Sequence, residues 1–317
     1  MEIAMKIVYM GTPDFAVLPL KALYEDGHEI ALVVTQPDKP KGRGHKLTPP
    51  PVKEFALSHN IPVYQPESAK TDEAYEYLKS FDSDIFIVAA YGQILSQRVL
   101  DIPPYGCINI HASLLPKYRG AAPIQWSIIN GETVTGVTTM QMNAGLDTGD
   151  MLIKEEVKID TTDTGETLHD KLAIAGVVAI RKTIEQIESG RLSAECQDDS
   201  ISTYAPMIDK TTGYIDFSKS AGTIYNLIRA LNPYPYAQAM YDDVRFKVIG
   251  AKSIDKEYNA ENGEIIDVSS DGILVACGVG SLLITDVQFE GKKKMPVKEF
   301  IKGNEIKKGV ILKCPDL

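Results

Sequence analysis

The sequence predicts an α/β protein in which a Rossmann-like domain with a mostly parallel sheet precedes a small OB-like β-barrel domain. The chain has 317 residues, which is long for one compact domain. Strand-like and helix-like segments alternate in its first part, whereas short strands separated by turn signals follow residue 213. We therefore assign the first domain to residues 1–192, a polar linker to 193–209 and the second domain to 210–317.

The elements of the first domain are predicted from apolar runs, helical periodicity and turn residues. The predicted strands cover residues 6–10, 29–34, 85–90, 106–111, 133–142 and 151–159. One predicted helix ends near residue 24, and the others cover residues 52–59, 71–80 and 164–189. The repeated strand–helix order implies a largely parallel sheet with helices on both faces, and the last two strands imply an antiparallel addition at one edge. Ligands bind beyond the carboxyl ends of such strands, where residues 91–92 and 109–111 are expected.

The second domain is predicted from closely spaced short strands. These strands cover residues 213–217, 237–241, 244–251, 264–268, 273–276 and 282–289, with one helix at 221–231. Turn signals such as Asp242 and Asp243 separate them. Short strands at this spacing are typical of a small barrel, and an OB-like barrel is a common platform for nucleic acids.

The composition excludes several kinds of protein and site. No stretch approaches the roughly 18–20 apolar residues of a membrane span, so we expect no membrane partner and a cytoplasmic location. The four cysteines contain no C-x-x-C pair and the five histidines no H-E-x-x-H pattern, so we expect no metal site. The turn at Gly11 lacks the G-x-G-x-x-G of a dinucleotide site. The net charge of −10 lies entirely in residues 1–205, and local basic clusters can still bind phosphates.

The strongest functional signal is an amide and an imidazole at the end of the strand at 106–111. Asn109 and His111 are two residues apart, so an extended strand points both to one face. Asp147 follows in a loop flanked by Gly145 and Gly149, which can return a carboxylate to them. These three groups suit acyl transfer, because the oxyanion of its tetrahedral intermediate needs hydrogen-bond donors. An isolated histidine near a strand end is more often structural, so the prediction depends on the three residues together.

The motif Asn109-x-His111-x-Ser113-Leu114-Leu115-Pro116 with the later Asp147 resembles the signature of the folate-dependent formyltransferases. The resemblance implies formyl transfer from 10-formyltetrahydrofolate to an amine, with no metal and no redox cofactor. It implies that Asn109 and His111 bind the developing oxyanion, while Asp147 holds His111 and helps to move the proton of the amine. It also implies folate contacts from the turn after His111, and backbone contacts to the pterin from the segment at 89–92 and from the Asp147 loop. The residues concerned are Ser113, Leu114, Leu115, Pro116, Ala90, Tyr91 and Gly92.

The amine acceptor is inferred from other parts of the chain. Residues 116–126, residues 36–47, residues 232–235 and the barrel resemble the branch of the family that formylates methionyl-initiator tRNA. The basic loop at 39–46 contains glycines that permit close approach, and its cations can meet phosphates and base edges. By resemblance this loop contacts the acceptor stem, and Arg43 matches its central arginine. The residues expected to bind tRNA are Arg43, Lys41, Lys46, Lys210 and Lys293.

We therefore expect a monomeric cytoplasmic enzyme whose partners are folate and initiator methionyl-tRNA. Two alternatives stay open at this point. The first is an enzyme of the same fold that formylates a small-molecule amine. The second is a catalytically inactive module that binds tRNA or folate, and it is disfavoured because Asn109, His111 and Asp147 are all present. For the loop at 39–46, the alternative is a surface loop without a ligand.

Overall fold

The computed structural model describes residues 4–41 and 46–315, and of residues 41 and 46 it describes the backbone alone. The strands are β1 (Lys6–Gly11), β2 (Glu29–Val34), β3 (Lys39–Lys41), β4 (Lys46–Thr48), β5 (Val63–Tyr64), β6 (Ile85–Ala89), β7 (Cys107–His111), β8 (Arg119–Gly120), β9 (Val134–Gln141), β10 (Met151–Lys158), β11 (Tyr204–Ala205), β12 (Ala237–Tyr241), β13 (Val244–Ile254), β14 (Ile265–Ser269), β15 (Gly272–Ala276), β16 (Ser281–Phe289) and β17 (Met295–Pro296). The α-helices are α1 (Val17–Glu25), α2 (Pro51–Ser58), α3 (Asp72–Lys79), α4 (Gln97–Leu100), α5 (Pro123–Ile129), α6 (Gly165–Glu188), α7 (Ala221–Ala230) and α8 (Val297–Phe300). Short 3₁₀ helices cover Asp14–Ala16, Asp199–Ile201 and Thr211–Gly213.

The central sheet has the strand order β10-β9-β7-β6-β1-β2-β5. The five strands from β7 to β5 run parallel, and β9 and β10 are added antiparallel at one edge. The carboxyl ends of β1, β6 and β7 therefore meet at the same edge of the sheet, where ligands bind in such folds. The predicted mostly parallel sheet with an antiparallel addition is confirmed.

The central parallel strands β1, β6 and β7 are largely buried on both faces, as expected for strands that helices cover on two sides. Val8 and Met10 of β1 and Val88 of β6 pack in one apolar layer. On the opposite face α6 approaches β7 closely, because a Cβ at Gly176 would lie 3.3 Å from the side chain of Ile110. Close packing of this kind fixes the position of β7, which carries Asn109 and His111.

The chain divides into two compact units. The first comprises Met1–Gly120, Val134–Lys158 and His169–Tyr204, and the second comprises Ala121–Thr133, Ile159–Leu168 and Ala205–Leu317. The central sheet and the residues Asn109, His111 and Asp147 all belong to the first unit. The domain boundaries at residues 192 and 210 remain a prediction.

The second unit is built on an antiparallel sheet in the order β12-β13-β16-β15-β14, with β17 beside β16. Its C-terminal segment links the two edges of this sheet. Lys313 pairs with Met240 of β12, and Ile311 pairs with Glu264, which precedes β14. This closure produces a small barrel around an apolar interior that includes Phe246. The predicted OB-like domain is confirmed.

One predicted strand of the barrel domain is wrong. Residues 213–217 follow a 3₁₀ turn as irregular chain, with an isolated bridge from Tyr214 to Gln238. Ile215 and Phe217 are buried, so the apolar alternation in the sequence reflects core packing without a strand ladder. The carboxylate of Asp216 accepts a hydrogen bond from the amide of Ser218, and this turn ends the extended segment.

Candidate active site

The parallel neighbours β6 and β7 bring the predicted site residues to the carboxyl edge of the sheet. Val88 lies opposite Asn109, so β6 ends at Ala89 close to the point where β7 ends at His111. On β7, Asn109 is half-buried and His111 is 6% exposed. Alternation along the strand directs both side chains to one face, which allows the amide and the imidazole to converge on one ligand atom.

The imidazole of His111 is held through one ring nitrogen. Its Nε2 lies 2.9 Å from the backbone oxygen of Tyr118. Because a carbonyl oxygen only accepts, Nε2 carries the hydrogen and donates it. The other ring nitrogen, Nδ1, therefore carries no hydrogen in the neutral imidazole. It faces the carboxylate of Asp147, whose Oδ2 is 3.8 Å away.

Asp147 is positioned by its loop and by a backbone donor. Its Oδ2 accepts a hydrogen bond of 2.7 Å from the amide of Gly120. Asn143 shapes the loop, because its Oδ1 accepts hydrogen bonds from the Gly145 amide and the Thr148 hydroxyl. The structure thus places a carboxylate 3.8 Å from Nδ1 of His111.

Both neighbours of the His111 ring have left-handed backbone. Tyr118 has a φ of 61° and Asp147 a φ of 52°. For residues other than glycine this conformation costs on the order of 1–3 kcal/mol and persists only where the surroundings fix it. At Tyr118 the amide donates a hydrogen bond of 2.8 Å to Oγ1 of Thr203. The backbone is therefore strained at the two positions that orient His111, a pattern that is common at functional sites.

The turn that follows His111 packs largely inward. Ser113 is fully buried, and its hydroxyl donates to the backbone oxygen of Lys117 at 2.6 Å. Leu115 packs in a buried cluster with two methionines, and Pro116 is also buried. Leu114 is half-buried. Among the four predicted folate contacts of this turn, Leu114 therefore has the most accessible side chain.

The segment after β6 presents backbone at the edge of the sheet. Ala90 and Gly92 are exposed, whereas the ring of Tyr91 is buried, and this burial raises the pKa of Tyr91 to about 12. The carbonyl of Tyr91 accepts hydrogen bonds from Thr12 and Gln36. Gly92 and Gln36 also line a cleft of about 580 Å³, a size typical of small-molecule sites.

Two contributors to the site were not predicted from the sequence, namely the amide of Gly120 and the carbonyl of Tyr118. Both are backbone groups, and so their residue types carry no direct chemical signal. The residue type of Gly120 is an indirect signal, because its φ of 112° lies in the range that favours glycine.

The predicted tRNA contacts fall in two regions. Arg43 lies outside the described residues, as do the side chains of Lys41 and Lys46. The strands that flank Arg43, β3 and β4, pair as an antiparallel hairpin. Lys210 and Lys293 belong to the second unit, and both are exposed. The role of each of these five residues stays a prediction.

Neither a metal-binding cluster nor a membrane-spanning helix is found in the described part of the chain. Within residues 4–41 and 46–315, no three His, Cys, Asp or Glu side chains are grouped so that they could hold a metal ion. No helix in this described part of the chain combines the length and the apolar character needed to span a bilayer.

Known proteins resemble the chain over nearly its whole length. The family model described as "Formyl transferase" matches residues 5–184, and "Formyl transferase, C-terminal domain" matches residues 207–305. The methionyl-tRNA formyltransferase of Acetivibrio thermocellus is 51% identical over 97% of this chain and 99% of its own length. That of Clostridioides difficile is 52% identical over 97% of this chain and 100% of its own length. The chain belongs to the methionyl-tRNA formyltransferase family.

A solved structure supports the fold of this family member. An N-formyltransferase from Helicobacter canadensis, in complex with folinic acid and dTDP-3-aminofucose, superposes with a TM-score of 0.67. The match covers 88% of this chain and 98% of that protein at 21% identity, so it bears on the fold alone. The resemblance to folate-dependent formyltransferases predicted from Asn109–Pro116 and Asp147 is confirmed by the family membership.

Proposed function

We propose that the enzyme transfers a formyl group from 10-formyltetrahydrofolate to the amino group of methionyl-initiator tRNA, which yields N-formylmethionyl-tRNA for translation initiation. The observation that carries the proposal is the pairing of His111 Nδ1 with Asp147 Oδ2 at 3.8 Å. It occurs in a chain that is about half identical, end to end, to methionyl-tRNA formyltransferases.

The proposed catalytic roles follow from the available donors and acceptors. The amine attacks the formyl carbon, a C–N bond forms, and an electron pair moves onto the formyl oxygen. We assign the Asn109 amide and the Nδ1–H of charged His111 as donors to that oxyanion. Asp147 stabilises the charged imidazole and receives the proton that the amine loses. Collapse of the intermediate breaks the bond to N10. The proton that Asp147 received passes to N10 as tetrahydrofolate leaves, which restores the negative charge of Asp147.

The residues present at the sheet edge fit a folate. Ala90 and Gly92 are exposed residues whose backbone groups suit hydrogen bonds to a pterin ring, and the cleft beside Gly92 is large enough for a part of the molecule. In the turn after β7, Leu114 supplies a half-buried apolar side chain for the same ligand. The buried members of both segments, Tyr91, Ser113, Leu115 and Pro116, support the folate site in this proposal by fixing the shape of the backbone around it.

The tRNA contacts are proposed from charge and fold. Arg43 lies between β3 and β4 in the sequence. With Lys41 and Lys46 it makes three cations that suit the phosphates of an acceptor stem. Lys210 and Lys293 add exposed cations to the barrel domain. As part of the same proposal the enzyme acts as a monomer. We place it in the cytoplasm, because charged initiator tRNA is made and used there.

A formylation assay separates this proposal from its two rivals. The protein is supplied with 10-formyltetrahydrofolate and either charged initiator tRNA or small amines such as amino sugars and glycinamide ribonucleotide. We expect formyl product on the tRNA and binding of the tRNA to the protein on filters. Product on a small amine alone would favour the first rival. Binding of tRNA or folate without any formyl product would favour an inactive binding module.

A further inference from the structure

The stretch at 193–209, which the sequence predicts to be a linker, reaches the Asp147 loop. Gln197 is half-buried, although its neighbours Cys196 and Asp198 are exposed. Its Nε2 donates two hydrogen bonds, to the backbone oxygen of Asp147 at 2.8 Å and to that of Gly149 at 2.7 Å. One amide group thus bridges two carbonyls of the loop that carries the carboxylate.

The orientation of the Gln197 amide is fixed by a second residue. The Nε of Arg119 lies 2.9 Å from Oε1 of Gln197. A guanidinium only donates hydrogen bonds, so the oxygen of the amide must face Arg119 and its NH₂ group must face the Asp147 loop. The contact with Arg119 alone therefore fixes the orientation of the Gln197 amide.

Arg119 is itself held in place. It is 2% exposed, and its second terminal nitrogen is 2.7 Å from the carboxylate of Asp199. Its backbone amide donates a hydrogen bond of 2.8 Å to the oxygen of Thr203. The same stretch therefore supports Arg119, the Asp147 loop and, through the Thr203 hydroxyl, the amide of Tyr118. Tyr118 in turn accepts the hydrogen bond of His111.

We infer that Gln197 is a positioning residue for formyl transfer, and that Arg119 orients it. Gln197 holds the strained backbone of Asp147 in the conformation that aims the carboxylate at His111. The inference rests on the proposed function, because it concerns the rate of that reaction. The stretch at 193–209, which the sequence predicts to be a linker, therefore contributes to catalysis in this proposal.

The test compares Gln197→Ala and Gln197→Glu with the wild-type enzyme in steady-state formylation. A misplaced catalytic group costs up to about 100-fold in rate, so we expect kcat to fall about 10- to 100-fold in both variants. The glutamate variant keeps an acceptor for Arg119 but loses the donors to the loop. Gln288→Ala is the matched control, because Gln288 also donates its amide to a backbone carbonyl, that of Lys292 in the second unit. We expect unchanged kcat for this control.

A double-mutant cycle separates positioning from a general loss of structure. In an Asp147→Asn background, Gln197→Ala should lower kcat less than twofold further, because the group that it positions is already disabled. An equal loss in both backgrounds, or a wild-type kcat in Gln197→Ala, would overturn the inference and leave the formyl transfer intact.

Hydrogen exchange at residues 143–150 gives a readout that does not need activity. We expect faster exchange in Gln197→Ala than in the wild type, and an unchanged exchange rate would contradict the inference. If the wild-type enzyme made no formyl product, the proposed function would fail while this readout still tested the contact.

Discussion

One oxygen of the Asp147 carboxylate accepts a hydrogen bond from a backbone amide and also faces the imidazole of His111. Oδ2 accepts a hydrogen bond from Gly120 at 2.7 Å and stands 3.8 Å from Nδ1 of His111. The longer distance exceeds a hydrogen bond, so the carboxylate acts on the imidazole in this structure through its charge. Catalysis by this pair therefore depends on the negative charge at Asp147 and on its fixed place.

Replacement Asp147→Asn tests the need for that charge. The variant keeps the size of the side chain and loses the group that favours charged His111 and receives the proton of the amine. We expect kcat to fall about 10²- to 10⁴-fold, the usual contribution of a general acid or base. Single-turnover formylation measures the chemical step directly. Retention of more than a tenth of the wild-type rate would contradict the assigned role.

Replacement His111→Ala should reduce turnover by about 10²- to 10⁴-fold while folate still binds. The reason is that the imidazole acts on the oxyanion of the intermediate and contributes little to binding of the ground state. Fluorescence titration with a folate analogue provides the binding control. A rate close to that of the wild type would show that another group stabilises the intermediate.

Replacement Asn109→Ala removes the second proposed donor. Loss of one oxyanion donor costs about 10²- to 10³-fold in kcat in comparable sites, and we expect a loss of that size. KM for both substrates should change little, since the interaction forms in the transition state. A change confined to KM for folate would indicate that Asn109 serves binding and not catalysis.

Local sequence patterns account for most of the fold. The strand at Glu29–Val34 and the strand at Ala237–Tyr241 were predicted to the residue, because apolar runs and turn signals bound both segments. Asn109 and His111 were predicted because their spacing is local. Gln197 could not be, because it lies 50 positions from Asp147 in a polar stretch without periodicity. The tautomer of His111 was also beyond prediction, since it depends on a carbonyl that the left-handed Tyr118 turns toward the ring.

The pair of His169 and Asp14 predicts a pH dependence of stability. Nε2 of His169 lies 3.4 Å from Oδ1 of Asp14, and this carboxylate raises the pKa of His169, with Asp170 adding to the effect. The hydrogen bond from His169 lowers the pKa of Asp14. The stabilisation from the histidine is complete below its ordinary pKa of about 6.5 and is lost as pH rises through the raised value. The stabilisation from Asp14 is lost as pH falls through its lowered value.

Urea unfolding of the wild type and His169→Gln measures this effect. We expect the variant to have a lower free energy of unfolding at about pH 5.5, with a gap below about 1 kcal/mol because Asp14 is exposed. The gap should shrink as the pH rises through the raised pKa of His169. Asp14→Asn is the matched control and should show the same dependence. A gap that grows with pH would contradict the assigned pair.

Replacement Arg43→Ala tests the tRNA loop. The expectation comes from the family resemblance, and the variant should raise KM for charged tRNA while KM for folate stays unchanged. If Arg43 meets a phosphate, the slope of log affinity against log salt should become shallower by about 0.7–0.9. Arg191→Ala removes an exposed arginine beyond the end of α6 and serves as the control. An equal effect of Arg43→Ala on both substrates would argue against a tRNA contact.

The central claim is that this chain formylates methionine on the initiator tRNA, and the most direct measurement compares two acceptors that carry the same amino acid. Purified enzyme with 10-formyltetrahydrofolate is given methionyl-initiator tRNA or methionyl-elongator tRNA, and kcat/KM is determined for each. We expect formyl-methionyl product on the initiator at a kcat/KM well above that on the elongator. Absence of product on both tRNAs, or equal kcat/KM values for the two, would contradict the account.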